Sequence, residues 1–382
     1  MFAFYPAYNV RVIVMGKIFI LSDKNSLFHK FRYIFVFSLC VLIAAALTAY
    51  PDIASKSISS ALEMCAETVI PSLFPFLFLS SFITCGGFFE SGGKVLSFIA
   101  KKLFSLPECS ASVFIMSALG GFPVGAKMTD SLLGSEKIGK ESAKRLLCAS
   151  VNPSPAFALG AIGLSLFSDT KPGIIIYSSV VISNLFILFI SRFVFGDDDF
   201  VSVKKSRNDV RISAAFVSAG SAASQAMISI CCYVLLFSCL CDLMRIFITN
   251  ETVLGVLCGI CEVTAGTRRL APHCSIPLIA GVVGWGGLSV HAQIMDCVEK
   301  SGLGIKLFFA SRAVCASLCV IISNFLLYLF PSAVEAVKIS GGITVTPDEK
   351  SFPVSVLMLI TCFLFLIGDC RIKRNVENKR KI

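Results

Sequence analysis

The sequence predicts an all-α, polytopic helical membrane protein with two inverted repeats that contain broken or re-entrant helices. Three observations carry that prediction. The 382 residues are 55% hydrophobic and only 15% charged, with a mean hydropathy of +0.82, whereas a soluble domain carries about a quarter charged residues. Apolar runs of membrane-spanning length recur along the chain, each long enough for one helix across the hydrocarbon. Gly/Pro clusters then interrupt the apolar sequence at corresponding places in two halves, the pattern that points to a transporter binding site.

The charge balance narrows the class further. The net charge of +10 sits in loops and tails between apolar runs, which is positive-inside bias and leaves no nucleic-acid partner to invoke. Most of the seventeen cysteines lie inside apolar segments, among them Cys40, Cys85, Cys239, Cys315, Cys319 and Cys362, where free thiols act as small hydrophobes. Cys258 and Cys261, with His273 and Cys274 downstream, have a metal-like spacing. Their flanks are apolar and the second pair is adjacent rather than spaced, so neither a metal nor a cofactor is expected. No serine, cysteine or aspartate stands in a nucleophile motif, histidines number three, and no P-loop is visible. Enzymatic catalysis and ATP-driven pumping are therefore not expected.

Residues 1–52 read as an N-terminal segment and a first span. The apolar run at 31–50 follows a basic flank; it is long for a signal-peptide core and is read as a retained span with a cytoplasmic N-terminus, Met15 being an alternative start. Residues 53–195 form the first repeat. Glu63 and Glu67 stand one turn apart on a semi-polar helix, read as an interfacial acidic face rather than a cation path. PSLFPFLFLSSF follows at 71–82, Lys94, Lys101 and Lys102 mark a loop, and apolar sequence resumes at Ser110 before GGFPVGAK at 120–127. Proline removes a backbone donor and glycine carries an entropy cost, so this stretch is a poor continuous helix. It is either a tight turn between helices or a re-entrant break lining a cavity. Residues 128–148 turn polar and read as a cytoplasmic helical excursion, SVNPSP at 150–155 is a second break, and 173–190 is a span ended by Arg192.

Residues 196–213 are the charged cytoplasmic linker, with three consecutive aspartates followed by Lys204, Lys205, Arg207 and Arg211. Residues 214–330 form the second repeat. It holds an apolar run at 221–247, in which Asp242 and Arg245 are spaced to pair, then CEVTAGTRR at 261–269. A glycine-interrupted run around Trp285 and an uncharged span at 313–330 complete it. Residues 331–382 supply a loop, a last span and a basic cytoplasmic tail.

The repeat itself rests on three landmarks. Ile182, Ser183 and Asn184 recur as Ile322, Ser323 and Asn324 at an offset of 140; at 139, Ser150, Val151 and Asn152 fall on Ser289, Val290 and His291, and Pro123 falls on Glu262. LFLSSF at 77–82 resembles LLFSCL at 235–240 at a larger offset. The first repeat ends in a basic linker and the second in a loop poor in Lys and Arg, which is what an inverted pair would produce.

In such a fold the breaks meet near the bilayer midplane, where half-helix N-termini direct partial positive charge at an anionic substrate. The substrate-binding candidates are Gly121, Pro123, Gly125 and Lys127 in the first break and Asn152 and Ser154 in the second. The second repeat adds Glu262, Thr264 and Gly266, then Ser289, His291 and Gln293. Glu262 is expensive in lipid unless paired or hydrated, so it is expected to bind a coupling proton or sodium ion, or to pair with Lys127 or Arg268. An unperturbed imidazole titrates near neutrality, which makes His291 a candidate proton relay.

PSLFPF, GGFPVGAK, SVNPSP and EVTAG together resemble the YlbJ-type sporulation integral membrane proteins, within the wider nucleoside-recognition or gate-domain group, over roughly residues 53–330. The resemblance implies a protein of the membrane around the forespore that moves dipicolinate, a small planar aromatic dianion. Two alternatives stay open: a nucleoside or other small-solute transporter of the same group, and a non-transporting sporulation scaffold.

Overall fold

The computed structural model describes residues 27–86, 94–195, 211–299 and 301–331, and these contain helices and connections with no β-strand. Residues 196–210 of the expected linker at 196–213, the loop beyond 331, the last span, the basic tail and the segment before residue 27 lie outside the described residues; the end of that linker instead opens a helix at Ile212. The chain divides into two compact units, Met1–Ser55 and Lys56–Ile382.

The first unit carries helix α1 (Leu27–Ala49), whose Tyr33, Phe35, Phe37 and Leu42 are all exposed. Large apolar side chains uncovered all round a helix belong in lipid rather than water. Pro51 opens α2 (Pro51–Met64) at a first-turn position, where its missing N–H costs nothing.

In the second unit a π-helical turn at Cys65–Val69 leads into α3 (Ile70–Gly86). Pro71 offers no N–H and crowds the carbonyl of residue 67, and the wider π turn accommodates both. Then come α4 (Lys94–Phe104), α5 (Ser110–Gly120), α6 (Phe122–Gly134), α7 (Lys140–Ala149), a π-helical segment Ala156–Leu164, the short α8 (Ser165–Phe167) and α9 (Thr170–Val194). The later part comprises α10 (Ile212–Met244), α11 (Glu251–Cys261), α12 (Val263–Leu270), α13 (Ile276–Trp285), α14 (Gly287–Val298) and α15 (Ile305–Leu329). Among the described residues, four helical stretches are long and apolar enough to cross a membrane, and five if α1 and its bent continuation count as one span.

The order of elements recurs: a helix, two broken helix pairs, then a long helix. The first pairs open with α5 and α11, each 11 residues. The second open with α7 and α13, each 10 residues, and the closing helices α9 and α15 are each 25 residues. The halves interlock, with α3 packed on α10, α9 on α15, α9 on α13 and α7 on α15.

This correspondence shifts the repeat register read from sequence. α9 and α15 begin at Thr170 and Ile305, so the matched asparagines sit at different depths. Asn184 is fully buried and reaches other elements, whereas Asn324 bonds only to Val320 O of its own helix, at 2.9 Å. By its place at the break, Gly121 rather than Pro123 corresponds to Glu262, each preceding a second arm.

Two further expectations change. The polar stretch after Lys127 is not a detached excursion: Met128, Thr129, Leu132, Leu146 and Leu147 are buried. Arg145 is buried as well, bonding Ser191 Oγ at 3.0 Å, Ser105 O at 3.1 Å and Phe104 O. A guanidinium satisfies the open carbonyls at the end of α4 and answers the negative pole of its dipole. Asp242 and Arg245 do not pair either; Asp242 meets Arg269, and Arg245 lies 3.8 Å from Glu251. The Arg269 side chain is only 14% exposed against 65% for Arg245. Arg269→Ala is therefore expected to cost roughly 1–2 kcal/mol, between the limits for exposed and buried pairs, while Arg245→Ala leaves the melting temperature unchanged. Thermal unfolding of both variants in detergent checks the contrast.

Candidate functional site

Four interruptions of helix define the centre of the second unit. At the first, Gly121 (φ 91°, ψ −175°) turns the chain between α5 and α6. A Cβ there would lie 2.9 Å from Leu73 Cδ2 and 3.3 Å from Ser154 Cβ, so glycine is required both by conformation and by space. One turn on, a Cβ at Gly125 would fall 2.0 Å from Ser150 O and 2.7 Å from Ser117 Cβ. The first turns of α6 thus press directly on the second break, residues 150–155.

The third interruption is Glu262, extended between α11 and α12, and the fourth is Gly286 and Gly287 (φ 86° and 79°) between α13 and α14. A Cβ at Gly287 would lie 3.0 Å from Val263 N and 3.1 Å from Glu262 Cα, so these two breaks also touch. Phe122 at the head of α6 comes within 3.8 Å of the same construction at Gly286, which joins the two pairs into one buried centre. Neither α6 nor α14 has a side-chain cap, and their first-turn N–H groups carry the positive end of the helix dipole.

Most predicted site residues gather here. Gly121, Pro123 and Gly125 are buried at the head of α6. Asn152 is fully buried, its Nδ2 donating to Ser117 Oγ at 2.8 Å and its Oδ1 accepting from Asn184 Nδ2 at 2.8 Å. Ser154 Oγ accepts from Phe157 N at 3.1 Å. Ser289 and His291 are fully buried on α14 with Gln293 nearly so, and Gly266 packs against Gly259 of α11. His291 Nδ1 faces Gly287 O at 2.7 Å, and its ring stacks 4.3 Å from Trp285. Because a carbonyl only accepts, Nδ1 carries the proton and Nε2 is left without a partner.

Two residues behave differently from expectation. Glu262 pairs with neither Lys127 nor Arg268; its Oε2 accepts from Ala265 N at 2.5 Å and caps α12, next to the half-buried Thr264. Lys127 leaves the breaks and donates to Ala222 O of α10 at 2.8 Å.

Three residues that sequence reasoning passed over complete the centre: Ser117, Asn184 and Arg312. Asn184 Nδ2 donates to Asn152 Oδ1 and to Val151 O at 3.0 Å, and its Oδ1 accepts from Arg312 Nη2 at 2.7 Å. Arg312, 1% exposed, also donates from Nη1 to Val151 O at 3.0 Å and from Nη2 to Cys148 O. A helix of the second half therefore holds the second break of the first. Asn184 carried a sequence signal as a repeat landmark, whereas Arg312, one residue before the uncharged run, carried none.

Among the described residues, no group of three His, Cys, Asp or Glu is arranged to hold a metal ion. A surface cavity of about 570 Å³ bordered by Asp130, Glu136, Lys140 and Ser301 lies at the α6–α7 turn, away from the breaks.

The chain is 22% identical over 326 residues to the sporulation integral membrane protein YlbJ of Bacillus subtilis (strain 168), an alignment that covers 74% of this chain and 80% of the relative. No family model matches the sequence. No solved structure matches it. Over most of both chains, this helical chain is therefore similar to a sporulation integral membrane protein of the YlbJ type.

Proposed function

We propose that this protein transports a small organic anion, dipicolinate, across the membrane around the forespore during endospore formation. The observation that carries the reading is the buried meeting of four helix breaks, in which two uncapped helix N-termini stand beside unfilled polar atoms. Such termini favour negative charge, and buried polar groups without partners are costly unless a ligand or water fills them. The YlbJ-type resemblance supports dipicolinate as the cargo, and its planar dianion matches donors from Asn152, Ser154 and the first turn of α6.

The test is uptake of labelled dipicolinate into vesicles containing the purified protein, beside a nucleoside and an unrelated dicarboxylate. Selective dipicolinate movement is expected, with a loss of about tenfold or more in Asn152→Ala, because a buried hydrogen-bond network is broken. Lys127→Ala, by releasing the contact between α6 and α10, and Glu262→Gln, by weakening the cap of α12, are expected to lower the flux as well. If all three variants insert normally and move dipicolinate like the wild type, the site is wrongly placed. If the wild type moves no solute while folded in the membrane, the transport reading falls and a scaffold takes its place. Repeating the uptake with imposed proton or sodium gradients identifies the coupling ion.

A further inference from the structure

We propose that Arg312 is the fixed positive charge against which the anionic group of the cargo binds. This rests on the transport reading and deepens it by naming the residue that selects for charge. The side chain is buried, and no Asp or Glu among the described residues pairs with it. Its three acceptors are neutral: Cys148 O, Val151 O and Asn184 Oδ1. The first two belong to the C-terminal end of α7 and the break that follows, and a helix C-terminus carries only about half an elementary negative charge. Roughly half of the guanidinium charge is thus uncompensated by these groups.

The hydrogen-bond inventory makes the same point. Nε–H of Arg312 has no acceptor, and Ser150 Oγ, lying in sequence between the two carbonyls that the guanidinium holds, has no partner. A buried cation with an unused donor lacks an acceptor that carries negative charge. A carboxylate supplies one, through charge-assisted hydrogen bonds. The Arg312 guanidinium also lies 5.9 Å from the Phe308 ring centre, and the same ring is 5.1 Å from His291. An aromatic wall next to the cation suits an aromatic carboxylate better than an aliphatic one.

The full chain in lipid nanodiscs is titrated with pyridine-2,6-dicarboxylate and with its neutral diamide, by calorimetry and by the fluorescence of Trp285. That residue is the single tryptophan, with its ring 6.4 Å from Phe309. The wild type is expected to prefer the dianion by about tenfold or more, Arg312→Lys to keep part of that preference, and Arg312→Gln to lose it. Equal affinity of the wild type for dianion and diamide overturns the proposal, even if the glutamine variant fails to insert. So does a glutamine variant that keeps the preference. A lysine variant that loses the preference as fully as the glutamine one also overturns it, because Arg312 then acts only by bracing the end of α7. The two readings separate cleanly. Wild-type flux preserved in Arg312→Gln removes the charge anchor and spares transport, whereas an intact binding preference with no flux spares the anchor and removes transport.

Discussion

Gly125→Ala is expected to eliminate most folded, membrane-inserted protein. The added methyl would sit 2.0 Å from Ser150 O and 2.8 Å from Ser150 Cβ. One of these is backbone, which cannot rotate aside, and it belongs to a break already held by Arg312 and Asn184. Relief requires separating α6 from residues 150–155, an overpacking cost on the order of 3 kcal/mol. Against a total stability of roughly 5–15 kcal/mol this is a large fraction. Gly134→Ala is the control: it lies at the end of the same helix with nothing within 4 Å of the added carbon. There the change is expected to be neutral or stabilising by up to about 1 kcal/mol, through helix propensity alone. Size-exclusion profiles and melting curves in detergent distinguish the two, and a Gly125→Ala protein as stable as Gly134→Ala would mean the breaks do not touch as described.

Asn184→Ala is expected to have the second large effect. The amide serves both sides of the centre, donating to Asn152 Oδ1 and Val151 O and accepting from Arg312 Nη2. Truncation leaves a buried cation short of an acceptor and two buried oxygens short of a donor, a loss of roughly 3–5 kcal/mol by analogy with a broken buried charge pair. The matched residue Asn324 sits half-buried and bonds back to its own helix, so Asn324→Ala should cost less than about 1 kcal/mol. Equal destabilisation by the two substitutions would show that the repeat read from sequence, rather than the register of the helices, describes their roles.

These residues mark how far the sequence could be read. The membrane class followed from apolar runs that no soluble core needs, and the breaks at 121, 150–155, 262 and 286 followed from glycines, prolines and a lone carboxylate within them. Three of these breaks reflect local properties, since a missing N–H or a left-handed φ interrupts a helix whatever surrounds it; Glu262 is instead extended, with a side chain that caps the arm after it. The capping role of Glu262 was legible in principle, since an acid three residues before an available N–H is a helix-start signal. Its cost in lipid instead directed attention to ion pairing.

Arg312 was not legible in that way. It stands one residue before the uncharged run at 313–330, and that position does not show that α15 begins at Ile305 and turns Phe308, Ser311, Arg312, Cys315 and Cys319 onto one buried face. Its acceptors lie 128, 161 and 164 residues away along the chain, separations about which local pattern says nothing. The same holds for Lys127, whose partner is a main-chain carbonyl on α10 that carries no side-chain signature.

The amino-acid sequence by itself determined that this chain is a helical membrane protein interrupted at four places, because hydropathy and backbone freedom are properties of each residue where it stands. Only the tertiary structure decided which interruptions meet, which polar groups they bury, and that the charge at their centre is Arg312. Those outcomes depend on how the helices of the two halves pack against one another, and packing brings together groups that the chain keeps far apart.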